Sequence, residues 1–234
     1  MALDRALLDA VAAGESRPIL RFYSWSAPTL SFGRMQRPSE DLLRRCADLG
    51  IAAVRRPTGG KAILHHREVT FSIVALAAGV GTIIESYRTF ARAIATGLRQ
   101  LGIEAQLCEP RAAPRRGSLL CFAAPARCDL EVGGRKLLGS AQARDCGALL
   151  QQNSLPLVLS DELKRRLFDD EVAAEEARIA TDLSATVGRE PSYAEVKDAI
   201  ISGFESELGM EFDARGPTEV ESAAADGLRS TFAL

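Results

Sequence analysis

Two phrases of the chain carry residue types suited to chemistry. The first is Arg55-Arg56-Pro57-Thr58-Gly59-Gly60-Lys61-Ala62-Ile63-Leu64-His65, and the second is Gly134-Arg135-Lys136-Leu137-Leu138-Gly139-Ser140-Ala141-Gln142. The first joins two guanidinium cations to a turn whose paired glycines let backbone N–H groups approach a ligand closely. The second fixes a lysine beside the small residues Gly139, Ser140 and Ala141, which leave room for a ligand within reach of the ammonium. Together they point to an acyl-handling site.

Composition sets the frame for these phrases. A chain of 234 residues with 47% hydrophobic and 26% charged side chains has material for one well-buried core and fits a single domain, 1–234. The formal net charge of -2 supplies no global attraction to nucleic acid or to an anionic membrane. Charge must act locally, through Arg55 and Arg56 or through the arginines between positions 111 and 116. Five cysteines without CxxC spacing, and two adjacent histidines, His65 and His66, argue against a zinc site. No N-terminal stretch has the order of a signal peptide, and no apolar run approaches the roughly 20 residues of a membrane helix. A reduced, cytoplasmic protein is expected.

The elements that must position the two phrases follow from periodicity. Residues 2–13 repeat apolar positions at helical spacing, 19–25 and 29–32 read as strands, and Ser39 caps a helix running to 49. A strand over 51–56 leads into the Gly59-Gly60 turn, and strands follow over 62–64 and 69–76. Residues 82–101 carry one apolar stripe and stop at Gly102, as a helix does. Residues 111–118, with Pro114, three arginines, a glycine and no periodicity, read as a surface loop. Gly133-Gly134 joins strands 129–132 and 135–144 as a hairpin, placing Lys136 on it, and a strand covers 148–159. Residues 160–234 form a helical C-terminal part, with helices over 161–168, 171–179 and 193–208, the last capped by Ser192. This part reads as peripheral. The whole is an α+β domain with a central mainly antiparallel or mixed sheet flanked by helices.

Residues 22–33, beginning Phe22-Tyr23-Ser24-Trp25, with 55–72 and 121–157, resemble the lipoate-protein ligase and octanoyltransferase family of the biotin/lipoyl protein ligase superfamily. The resemblance spans most of the chain up to about residue 159. It implies a class II synthetase-like domain that binds a medium acyl chain and transfers it to one lysine of a lipoyl domain. It assigns Arg55, Arg56, Thr58, Gly59, Gly60, Lys61, His65, Gly139, Ser140 and Ala141 to substrate binding. It also assigns Lys136 to contact with the acyl carbonyl, where an ammonium stabilises developing negative charge.

Cys121-Phe122-Ala123-Ala124-Pro125 is similar to the Cys-Phe-x-x-Pro phrase of one octanoyltransferase branch. That similarity implies a Cys121 nucleophile that takes an octanoyl group from acyl carrier protein as a thioester, without a cofactor. The acceptor would be a lipoyl domain of a 2-oxoacid dehydrogenase subunit or of the glycine cleavage H protein type. Lys61 stands where ATP-using ligases have a third glycine, which favours the transferase. The alternatives are an ATP- and Mg²⁺-dependent lipoate-protein ligase and, in another class, a non-catalytic protein that binds lipoyl domains or acyl groups. The departures from the family pattern are His66 for a common aspartate, Gln152-Asn153 for His-Gly, and an N-terminus without the usual edge strand.

Overall fold

The structure is a computed structural model, and the residues it describes are 1–108 and 129–234. In chain order the elements are α1 (Ala2–Ala12), β1 (Ile19–Tyr23), β2 (Thr29–Phe32), α2 (Glu40–Asp48), β3 (Ala52–Arg55), β4 (Ile63–His65) and β5 (Glu68–Leu76). There follow α3 (Ile83–Arg99), β6 (Gln106–Leu107), β7 (Leu130–Val132), β8 (Arg135–Asp145) and β9 (Ala148–Pro156). The chain then runs through α4 (Asp161–Leu167), α5 (Asp170–Ile179), α6 (Leu183–Val187), α7 (Tyr193–Leu208) and α8 (Glu219–Phe232). The expected α+β class holds, with the strands divided between two sheets. A six-stranded sheet has the order β1-β5-β9-β8-β7-β6 and is antiparallel throughout, and a three-stranded sheet has the order β3-β2-β4 with β2 and β3 parallel.

The period of two along β5 and β9 decides where the core ends and the site begins. Residues paired directly across an antiparallel ladder share a face, so Thr70 lies beside Ser154, Ser72 beside Gln152, and Val74 beside Leu150. On the opposite face Val69, Phe71 and Ile73 enter the main core with Phe90, Ile94 and Leu98 of α3 and Val196, Ile200 and Phe204 of α7. Both faces are thus buried, one of them largely by polar groups. Leu7, Leu8 and Val11 of α1 cover only the end of that second face that carries Val74, Ala148 and Leu150.

Helix ends are fixed by side chains legible in the sequence. Ser39 accepts from the Leu42 N–H, while Thr82 and Ser192 each form a reciprocal capping box with the glutamate three residues on, Glu85 and Glu195. The helical C-terminal part is not peripheral. Helix α7 lies against α3 in the main core, Leu167 and Phe168 pack with Leu30 and Phe32 of the smaller sheet, and α8 packs on α1. The short α6 and the alanine-rich α8 carried too weak a stripe to be expected.

The α3–α7 contact requires glycine. A Cβ on Gly203 would stand 2.2 Å from the Ala93 carbonyl oxygen and 2.7 Å from the Gly97 Cα, so the two helix backbones meet with no side chain between them. Gly203→Ala is expected to lower stability by about 1–3 kcal/mol through overpacking. Gly227→Ala, on the exposed side of α8 with nothing within 4 Å, should instead gain up to about 1 kcal/mol from helix propensity. Urea denaturation midpoints of the two variants check this, and equal midpoints would contradict the close approach.

Candidate active site

The two phrases meet through β9. Thr58, fully buried, donates its hydroxyl to Gln152 Oε1 at 2.7 Å, and Gln152 lies directly across the ladder from Ala141 of β8. Gly139 lies across from Ser154 in the same way. The Gly59-Gly60 turn therefore sits over a strip of small and hydroxyl side chains made by β5, β9 and β8.

Within the first phrase the cations serve the turn. Arg56, 2% exposed, donates to the carbonyl oxygens of Ser31, Gly59 and Lys61 at 3.0, 2.7 and 2.6 Å, and to Ser31 Oγ at 3.1 Å. Arg55 donates to the carbonyls of Gly33, Arg34 and Gln36, tying the loop after β2 to the same turn. Both were expected at the substrate, and both spend these donors on the backbone that forms the turn. Lys61 is half-buried and contributes a carbonyl to Arg56. Gly60 adopts φ +90°, where a side chain would be strained. Gly33 packs flat beneath the turn, and a Cβ there would stand 1.9 Å from the Gly60 oxygen.

His65 is 3% exposed and held on three sides. Its Nδ1 is 2.7 Å from Glu68 Oε1, its Nε2 is 2.7 Å from Ser31 Oγ, and its ring stacks on Trp25 with centroids 4.2 Å apart. Burial alone would push the Glu68 carboxyl up, but the facing His65 and hydroxyl donors from Thr70 and Ser154 outweigh it and hold it below its ordinary value. Trp25 completes the chain by donating to Thr70 Oγ1 at 2.8 Å.

Lys136, 2% exposed, forms an ion pair with Asp129 at 2.6 Å. The other Asp129 oxygen accepts from the Ser140 N–H at 3.3 Å, so both oxygens of the carboxylate are engaged. The Lys136 carbonyl accepts from the Thr181 N–H at 2.8 Å, which binds the segment after α5 to the lysine's own strand. The solvated hairpin lysine that a bare sequence allows is thus a buried cation held within three residues of Gly139. Ser140 donates to Asn153 Oδ1 at 2.8 Å, so of the three small residues it is the one tied down by side chains.

Cys121 and the arginines between 111 and 116 lie outside the described residues. None of the described cysteines is an activated thiol. Burial, then Asp129 nearby, pushes Cys108 up to about 12, burial raises Cys46, and a hydrogen bond to Asp145 raises the exposed Cys146. Sequence reasoning missed Asp4, Trp25, Glu68 and Asp129 as members of the polar assembly. It also took Gln152-Asn153 only for the loss of a glycine, whereas both side chains are buried and bonded.

This two-sheet α+β fold, with a Gly-Gly turn over a polar strip and a buried lysine beside it, places the chain in a defined class. The sequence matches the lipoyl protein ligase A/B catalytic domain over residues 1–205, and the chain belongs to that family. Relatives named octanoyltransferase LipM are 38% identical in Exiguobacterium sp., covering 97% of this chain and 88% of that protein, and 36% identical in Moorella thermoacetica, covering 100% and 90%. A crystal structure of lipoate-protein ligase A bound with ATP superposes with a TM-score of 0.82 at 27% identity, covering 97% of this chain and 87% of that one. A lipoate protein ligase of T. acidophilum with bound lipoic acid, 24% identical, shares the fold at a TM-score of 0.79, covering 98% and 88%. Among the described residues no helix is long and apolar enough to cross a membrane.

Gly33→Ala tests the close packing under the turn. Displacing Gly60 by about 1 Å is expected to reduce kcat/KM on the order of 100-fold. Steady-state kinetics beside a far-ultraviolet dichroism spectrum check this, and full activity in a folded variant would show that the turn tolerates displacement.

Proposed function

We propose that the chain moves an octanoyl group from acyl carrier protein onto a specific lysine of a lipoyl domain, through a thioester on Cys121. The observation that carries this reading is the buried Lys136, held by Asp129 beside Gly139, Ser140 and Ala141 in a chain whose relatives are named octanoyltransferase. A preorganised ammonium in a site screened from water stabilises charge on a carbonyl oxygen far better than a solvated one does. The Cys121 thiolate attacks the thioester carbonyl and the thiolate of the carrier protein departs. The lipoyl-domain amine then attacks the acyl-enzyme, forming an amide and returning the Cys121 thiol. Because the incoming group is already a thioester, this route needs no cofactor to activate it. The raised values of Cys46, Cys108 and Cys146 leave Cys121 and Cys128 as candidate thiols, and of these Cys121 stands in the Cys-Phe-x-x-Pro phrase.

A second reading is supported by the likeness to a lipoate-protein ligase bound with ATP. In it free lipoate or octanoate is activated by ATP with Mg²⁺, with Arg56, Gly59, Gly60 and Lys136 around the activated acyl group. Lys61 supports the transferase instead, since it places a side chain next to Gly60 where a nucleotide would need a close approach of bare backbone.

Intact-protein mass spectrometry after mixing with octanoyl acyl carrier protein, without ATP, separates the two. The expected result is one octanoyl adduct, removed by hydroxylamine, mapped to Cys121 and absent from Cys121→Ser. Lys136→Met should slow its formation by on the order of 100-fold, as removal of an oxyanion donor does. Product formed only with ATP would establish the ligase.

A further inference from the structure

A second buried ion pair lies behind the site, and it is incomplete. Lys164 of α4 and Glu176 of α5 are 5% and 3% exposed, with Lys164 Nζ 3.2 Å from Glu176 Oε1. The other oxygen of the carboxylate, Oε2, is buried with no hydrogen-bond partner among the described residues. A buried carboxylate oxygen without a donor is costly, so the position calls for something that donates to it.

A small cavity supplies the place. It is lined by Glu176 and Lys164 together with Ser154, Glu68, His66 and Ser160. Ser154 and Glu68 belong equally to the polar strip, since Ser154 donates to Glu68 Oε2 at 2.7 Å and lies across from Gly139. The polar groups therefore run without a break from Arg56 through Ser31, His65, Glu68 and Ser154 to the cavity wall, of which Glu176 is also part. About half of the wall is apolar, from residues such as Leu64 and Val158, but a cavity with several polar partners has room for a water, and a water beside Glu176 would donate to Oε2.

We propose that this cavity holds an ordered water and that Glu176, reached through it, is the proton acceptor for attack by the lipoyl-domain amine. The inference rests on the transfer reading above. The acceptor lysine arrives as an ammonium and must shed two protons when it becomes an amide. One leaves with the Cys121 thiolate as the thiol re-forms, and the other passes to the Glu176 carboxylate and from there to solvent. Burial first raises the Glu176 carboxyl, opposed by Lys164, which brings it closer to the range useful for a base near neutral pH. The charged and titratable groups around it are Lys164 and Asp161 of α4, Lys136 of β8, Glu68 of β5, and His66 in the turn between β4 and β5. Glu176 is protonated below its own pKa and a base above it, so transfer should speed up as pH rises through that value.

The test uses the full chain loaded with octanoyl groups by acyl carrier protein and then mixed with lipoyl domain, each half-reaction being followed by mass. Glu176→Gln keeps the size of the side chain and removes the base. Loading is expected to proceed as in the wild type, while transfer at neutral pH falls on the order of 100-fold and its rise with pH disappears. Wild-type transfer with an unchanged pH profile would overturn the proposal. If Glu176→Gln fails to fold, the double variant Lys164→Met/Glu176→Gln replaces the ion pair with a neutral pair, and its pH profile decides in the same way. If the wild type is never loaded, the thioester reading has failed by itself. The amine must still lose its protons, so the same comparison with octanoate and ATP then tests Glu176 separately.

Discussion

Two buried carboxyl groups, Asp4 and Glu68, set the constraint on which the rest of the structure depends. Asp4 is wholly enclosed and accepts from Arg21 at 2.6 Å, Ser72 at 2.8 Å and Gln152 at 2.6 Å. Glu68 accepts from His65, Thr70 and Ser154. Charge taken out of water is tolerated only when its oxygens are met by donors, and these donors come from β1, β4, β5 and β9, while Asp4 itself lies on α1. Satisfying two side chains thus fixes how five elements sit against one another. It also forces the shared face of β5 and β9 to be polar from Glu68 to Gln152 and apolar only beneath Leu7, Leu8 and Val11 of α1.

The two lysine–carboxylate pairs divide the labour differently. Around Lys136 the carboxylate of Asp129 is fully engaged, so the ammonium has a fixed place and the site a fixed positive pole. Around Lys164 one oxygen of Glu176 is left over, so the pair is electrostatically open toward its cavity. A buried network with every member satisfied is rigid, and an unmet acceptor within one is costly. The α4–α5 segment lies within the stretch that the family shares, and the backbone bond from the Thr181 N–H to the Lys136 carbonyl joins the chain just after it to β8.

Local features were legible in the sequence because their signals are local. Capping residues three positions from their glutamates, a Gly-Gly hairpin and the alternation along β5 each announce themselves within a few residues. The division into two sheets was not legible, since strand partners such as β5 and β9 are chosen by tertiary packing across long separations. The same holds for the site. Thr58 and the small residues of β8 could be picked out by phrase, but the partners that give them meaning, Gln152, Asp129 and Glu68, are ordinary polar residues until the fold brings them near. What the arginines hold within the fold was not legible for a related reason. A guanidinium has five donors and serves a turn's carbonyls as readily as a ligand, and spacing alone does not say which.

The bond from Asp4 through Gln152 to Thr58 has a consequence for the order in which the protein is made. Its three members come from the first helix, the last strand of the large sheet and the turn between them, and α1 is then covered by α8. A nascent chain can form α1, α2 and α3 early, but it has no amide to join Asp4 to the Gly-Gly turn until β9 has left the ribosome. The polar strip is thus assembled late, by contacts of long sequence separation, and such contacts form slowly. A half-synthesised chain accordingly carries the recognisable phrase without the pocket, and a reactive acyl group meets a binding site only on a protein that has already folded.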